Sequence, residues 1–279
     1  METLNFLPPG VELARLAAER EAEYQQGAPF PNIALPNFFD PRILDQVLGE
    51  FPDLSRRKEI FTYDNPNERK LASRGEALFG PATRSLVHFL NSQPVLEFLQ
   101  RLTGIKETLL PDPYLEGGGY HEIKPGGLLK VHADFNKSRA TGLDRRINLL
   151  VYLNKSWEES YGGHFELWDR DMRNPIKKIL PTFNTVAIFS TTDFSHHGHP
   201  DPLTCPPDRS RKSLALYYFS NGRPAEEVHA GLEEHSTLFK ARQGVPNDVQ
   251  EEVAAGRSAR SLLKEFIPPV LLRPLKWMK

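Results

Sequence analysis

The run LLKVHADFN holds two residues that can do chemistry together, His132 and Asp134, separated by one alanine. On a β-strand, side chains two apart leave the same face, so this imidazole and this carboxylate aim at one point. Further along, FSHHGHP offers a third ligand in His196, His197 or His199. Two histidines with one carboxylate make a facial set that leaves coordination positions open on non-haem Fe(II). The run RSRKSLALYYFS then sets Arg211 at the start of a strand. A guanidinium inside a protein grips a carboxylate through two parallel, charge-assisted hydrogen bonds, which suits a dicarboxylate co-substrate better than an ammonium does. Neighbouring strand residues face opposite ways, so only one of Arg211 and Lys212 can enter a common pocket, and Arg211 is the expected one. Ser213 shares its face. On INLLVYL, Asn148, Leu150 and Tyr152 share a face, and Tyr152 can bring a hydroxyl to the same carboxylate.

These residues need strands to position them. From about Thr108 the hydrophobic period changes from helical to alternating, and eight segments read as strands: GYHEIK, LLKVHADF, INLLVYL, HFELWD, IKKIL, TVAIF, SHHGHP and SLALYYF. They predict a mainly β core with α additions, a double-stranded β-helix (jelly roll) flanked by N- and C-terminal helices. Upstream, PPGVELARLAAEREAEYQQ reads as a peripheral helix with prolines in its first turn. FPNIALPNFFDPRILDQVLGEF gives a short extended piece, then a helix capped by Asp40 with Pro41 at its first position. The polar stretch from Arg56 to Gly75 reads as a solvated loop, placed where a lid would sit. PATRSLVHFLNS and PVLEFLQRLTG read as two helices, the second ended by Gly104, with His88 a packed or exposed residue. After Pro224 come a further helix, DVQEEVAAGRSARSLLKEF, and the tail IPPVLLRPLKWMK, whose basic, apolar mixture gives at most a weak peripheral membrane contact. The division is therefore 1–104, a helical support; 105–224, the jelly-roll core; and 225–279, a helical extension and tail.

Composition sets outer bounds. A chain of 279 residues, 39% hydrophobic and 25% charged, can bury one large core. A net charge of -1 supplies no field to attract nucleic acid, which is not an expected partner. The single cysteine, Cys205, excludes an intrachain disulfide and a cysteine-based cluster, and reads as an inert thiol in a reducing compartment. METLNFLPPG lacks a basic leader, and no apolar run approaches the roughly 20 residues that span a bilayer, so a cytoplasmic, soluble protein is expected.

Taken together, GYHEIKPGGLLKVHADFN, RRINLLVYLNKSWEESYGGHFELWD, KKILPTFNTVAIFS, SHHGHPDPL and RKSLALYYFS resemble the Fe(II)- and 2-oxoglutarate-dependent oxygenases of the prolyl 4-hydroxylase-like branch. Tyr152, Leu153, Asn154, Trp157, Gly162 and Gly163 match a recurring pattern of that branch. The resemblance implies that His132, Asp134 and a histidine of the 196–199 cluster hold Fe(II). It also implies that Arg211 grips the distal carboxylate of 2-oxoglutarate, with Tyr152, Ser213 and Asn148 beside it. O2 and ascorbate as a reductant complete the implied cofactors, and a carboxylate at Asp134 implies hydroxylation rather than halogenation. Members reading Ser, an aromatic, then His-Gly-His-Pro select His197 as the third ligand and leave His199 near the rim. Aligning Gly198 with the His-Ala-Gly-x-Pro pattern selects His196 instead. The sequence departs from the pattern in the insert DPLTCPPDRS and at Lys124, which stands where some members have a second co-substrate tyrosine. The implied activity is hydroxylation of a C–H bond of an amino-acid, peptidyl (prolyl among them) or small-molecule substrate, with release of succinate and CO2. The alternatives are a cupin-type metal enzyme without 2-oxoglutarate, which leaves Arg211 and Tyr152 without a purpose, and a non-catalytic jelly roll binding through a platform of Trp168, Tyr217 and Tyr218.

Overall fold

The alternation along INLLVYL decides the architecture, because it gives one strand two different faces. Ile147, Leu149 and Val151 join a large cluster with helix residues such as Leu44, Leu86, Phe98 and Leu102. Leu150 and Tyr152 pack instead with Phe165, Leu167, Ala187 and Phe189. One face thus meets helices and the other meets a second sheet, each buried large apolar side chain contributing about 1.5–3 kcal/mol.

The computed structural model describes residues 5–228 and 234–250. The described residues as far as Val249 form one compact unit. The C-terminal helix and tail expected after Asp248 lie outside the described residues. In chain order the elements are α1 (Leu13–Gln25), β1 (Asn32–Pro36), α2 (Pro41–Glu50), β2 (Ile60–Asp64), β3 (Arg69–Ser73), α3 (Pro81–Leu90), α4 (Gln93–Thr103), β4 (Leu110–Pro111), β5 (Gly119–Ile123), β6 (Leu129–Ala133), β7 (Asp144–Tyr152), β8 (Phe165–Trp168), β9 (Pro175–Ile179), β10 (Thr185–Ser190), β11 (His197–His199), β12 (Arg211–Ser220) and β13 (Leu238–Phe239). An eight-stranded sheet runs β1-β10-β7-β12-β5-β3-β2 with β4 beside β12, and a five-stranded sheet runs β13-β6-β11-β8-β9. Their inner faces enclose the site. This is a double-sheet jelly roll with helices on the outer face of the larger sheet.

All eight expected strands form, as does the extended piece at β1. Asp40 accepts from the Arg42 amide at 2.9 Å and Pro41 opens α2, as the sequence implies. α4 ends at Gly104 with φ +71. Pro8 and Pro9, by contrast, precede α1 instead of opening it. The stretch 56–75 is a hairpin, β2 and β3, that extends the larger sheet through β5. Its polarity reflects an edge facing water, and the backbone pairing that makes it sheet leaves little trace in side-chain pattern. His88 is exposed and meets Glu76 at 3.0 Å.

Candidate active site

Strand pairing assembles the candidate metal ligands. His132 on β6 and His197 on β11 are direct cross-strand partners, so their rings leave the same face, 4.4 Å apart. Asp134 follows His132 by two residues and reaches the same point: the three potential ligand atoms lie within 4.8 Å of one another. Each ring uses Nδ1 on a main-chain carbonyl two residues back, His132 on Lys130 and His197 on Ser195, both at 2.8 Å. That leaves both Nε2 atoms turned to Asp134, at 3.5 Å from Oδ1 and 3.3 Å from Oδ2. Two imidazole lone pairs and a carboxylate converging without a cation would repel, so the donor set fits a divalent metal held by two histidines and a carboxylate.

Behind the carboxylate stands a residue that sequence reading missed. Arg145 is 1% exposed, donates to Asp134 Oδ2 at 3.1 Å, and lies 3.4 Å from the centre of the Tyr217 ring and 4.3 Å from that of Phe135. Burial alone would push the Asp134 carboxyl up, but the Arg145 guanidinium and the His197 imidazole hold it well below the ordinary range. Asn148, expected at the co-substrate, spends its amide here: Nδ2 donates to Asp134 at 2.7 Å, and Oδ1 accepts from Arg145 and Thr191. It therefore orients the carboxylate.

At the other end of the same cavity lies Arg211, buried, with Ser213 beside it. Its Nε donates to the Gly163 carbonyl at 2.8 Å and its Nη2 to Tyr152 Oη at 3.3 Å. Among the described residues no carboxylate pairs with it, and a buried cation without a counter-ion is costly unless an anion is bound. Lys212 faces away, its Nζ 2.6 Å from Ser210 Oγ. The Gly-Gly of the recurring pattern has a local reason. A Cβ on Gly163, whose φ is +69, would stand 3.1 Å from Arg211 Cδ and 2.5 Å from Leu203 Cδ2. Asn154 pins the start of β12 by bonding the Lys212 amide at 2.7 Å, and Trp157 donates to the Gly162 carbonyl. Lys124 also faces outward, to Glu122 and Asp53, so Ile123 takes the cavity position on β5.

Two expectations need correction. His199 is not at a rim: it is 4% exposed and lines the cavity that also holds Arg211. A Cβ on Gly198 would meet the Leu129 and Lys130 carbonyl oxygens at 2.7 and 3.0 Å, so glycine there permits close packing of β11 on β6. His196 does not line the cavity. The proposed binding platform does not exist either, since Trp168 and Tyr218 are buried and Tyr217 covers Arg145. Lys70 of β3 and His121 of β5 also line the cavity; the first lies in the hairpin expected as loop, and the second on an expected strand whose neighbours the sequence does not reveal. Cys205 is buried against Trp157, Leu203 and Ile123, with burial pushing its thiol up.

The fold and site define a class: a jelly roll carrying a two-histidine, one-carboxylate cluster with a buried arginine beyond it. The family model described as the 2OG-Fe(II) oxygenase superfamily matches residues 118–219. That match covers a little over a third of the chain and is a similarity of this segment to the superfamily. Prolyl 3-hydroxylase OGFOD1 of Mus musculus is 26% identical over 142 residues, which is 45% of this chain and 26% of that protein, so the match spans about a quarter of the relative's length. A prolyl-4-hydroxylase from Pseudomonas putida superposes with a TM-score of 0.51 at 16% identity, covering 75% of this chain and 100% of that one. A Trichoplax adhaerens prolyl hydroxylase, solved with a hypoxia inducible factor peptide fragment, gives 0.55 at 18%, covering 75% and 90%. The non-heme alpha ketoglutarate dependent epimerase SnoN gives 0.52 at 11%, covering 82% and 97%. These structures share the fold, and the fold spans more than one reaction. Among the described residues no helix is long and apolar enough to cross a membrane.

Proposed function

We propose that this chain is an Fe(II)- and 2-oxoglutarate-dependent oxygenase that hydroxylates a C–H bond, residues 105–224 forming the catalytic core and residues 1–104 supporting it with helices and with β1, β2 and β3 of the larger sheet. The observation that carries the reading is Arg211, a buried guanidinium without a carboxylate partner among the described residues, in the same cavity as His132, Asp134 and His197. A cupin without 2-oxoglutarate gives that arginine no task. Bound Fe(II), with 2-oxoglutarate and O2, would supply the oxidant that turns C–H into C–OH while the co-substrate is split to succinate and CO2. His132, Asp134 and His197 hold the metal. Arg145 and Asn148 fix the carboxylate, Arg211 with Tyr152 and Ser213 anchors the co-substrate, and Leu150, Phe165 and Phe189 exclude water from the reacting end.

The substrate class we propose first is peptidyl, prolyl residues included. A groove of about 680 Å3 adjoins the site through Phe135 and is lined by Phe61, Tyr63, Glu116, Arg139 and His235, aromatic and charged of both signs. It is larger than one amino acid requires. The single Cys205 supports a reducing compartment, the cytoplasm. Anaerobic titration of the purified protein with Fe(II) and 2-oxoglutarate tests the reading. The outcome expected is the weak visible charge-transfer band of the chelate, lost in Arg211→Ala and kept in Lys212→Ala, with succinate formed once O2 and a substrate peptide are added. No band, and 2-oxoglutarate affinity unchanged by iron, would sink it.

A further inference from the structure

We propose that His199 is a second anchor for the co-substrate, its imidazole N–H donating to the distal carboxylate of 2-oxoglutarate beside Arg211. This rests on the oxygenase reading above. Neither ring nitrogen of His199 has a hydrogen-bond partner although the residue is 4% exposed. Leaving such a ring unpaired inside a protein is costly, so a group that meets it when the cavity fills is favoured. The other imidazoles of the cavity are engaged: His132 and His197 with main-chain carbonyls and Asp134, His121 with the Gly117 carbonyl at 2.9 Å.

Placement says which part of the ligand His199 meets. It lies two residues beyond His197 on β11, opposite Leu129 after a register shift, and lines the same cavity as His197. Antiparallel pairing with β8, His197 opposite Leu167 and Gly198 opposite Glu166, carries β11 toward Phe165 and Gly163, whose carbonyl holds Arg211, and His199 and Arg211 line one cavity. Arg211 has committed Nε to Gly163, so its side-on fork is closed and a carboxylate meets it end-on through the terminal nitrogens, which leaves a flank open to a further donor. Ile123 offers no donor from β5, whereas His199 on β11 lines the cavity with both ring nitrogens unpartnered.

The test is calorimetric binding to protein loaded with Zn(II), comparing 2-oxoglutarate with 2-oxovalerate, which has the same chain length and no distal carboxylate. His199→Ala is expected to weaken 2-oxoglutarate about tenfold or more and 2-oxovalerate less than about twofold, with zinc stoichiometry kept and His199→Asn retaining much of the affinity. In wild-type protein the 15N resonances of the His199 ring should move on adding 2-oxoglutarate and stay put on adding 2-oxovalerate, which decides the matter if the variants do not fold. Unchanged 2-oxoglutarate affinity in His199→Ala, equal weakening of both ligands, or a silent ring would overturn the assignment while the oxygenase reading stands. Failure of the zinc-loaded wild type to bind 2-oxoglutarate at all would remove both.

Discussion

At the scale of single residues, the arrangement separates groups that touch a metal from groups that hold those in place. His197 faces His132 and Asp134, whereas His196 is turned out of the cavity. His197→Ala is therefore expected to lose stoichiometric metal binding, and His196→Ala to keep it, as read by metal content after loading and desalting. The opposite pattern would make His196 the ligand. Arg145 is the clearest positioning residue. Removing its donor in Arg145→Met leaves the inner oxygen of Asp134 with only Asn148, so metal affinity should fall about 10- to 100-fold in competition titrations, with the fold intact by circular dichroism. Affinity unchanged would mean that Asn148 alone orients the carboxylate. The same carboxylate explains why Arg145 tolerates burial: its charge is paired and its guanidinium lies against the Tyr217 and Phe135 rings.

At the scale of elements, the site depends on one short strand seated without clearance. β11 has three residues, lies between β6 and β8, and shifts register between His197 and His199. Gly198 is where it comes nearest to the β6 backbone. In Gly198→Ala the added methyl meets carbonyl oxygens that cannot swing away, so β11 must back off from β6. We expect a loss of about 1–3 kcal/mol in denaturant unfolding together with weakened metal binding, since the displaced strand carries His197. Full stability with full metal affinity would show that the bulge absorbs the methyl. Arg211 depends similarly on its surroundings: Asn154 sets the start of β12 and Gly163 gives the guanidinium its place. The YLN, Trp and Gly-Gly residues are thus the supports of one arginine.

At the scale of the whole described molecule, a distant segment closes the smaller sheet. β13 pairs Phe239 with His132 and Leu238 with Ala133, and His235, just before it, bonds Asp193 at 2.8 Å through Nε2. Burial alone would lower the His235 pKa, but the bonds to Asp193 and to the Ser236 carbonyl raise it above 6.5. A pKa raised by folding stabilises the folded state fully below the ordinary histidine value, and the contribution fades as pH climbs through the higher folded value. The stability difference between wild type and His235→Asn should therefore be largest at mildly acid pH and shrink above about 6.5, measured by denaturant unfolding across pH. A difference that grows with pH would show that the ion pair is not what holds the segment.

What the sequence determined by itself was whatever depends on period and parity along one strand: the eight core strands, the shared face of His132 and Asp134, the opposition of Arg211 and Lys212, and the inward set of Asn148, Leu150 and Tyr152. Those facts are local, because side-chain direction alternates in any extended chain. What only the tertiary structure decided depends on which strand lies beside which. Cross-strand pairing makes His197 the partner of His132. The approach of β7 to the loop after β6 brings Arg145 to Asp134 and takes Asn148 away from the co-substrate end. Pairing of β3 with β5 turned a polar stretch into sheet and brought Lys70 to the cavity. Neighbours of this kind are separated by 11 residues or more and leave no periodic mark, so hydrophobic pattern cannot reveal them; packing of the two sheets does.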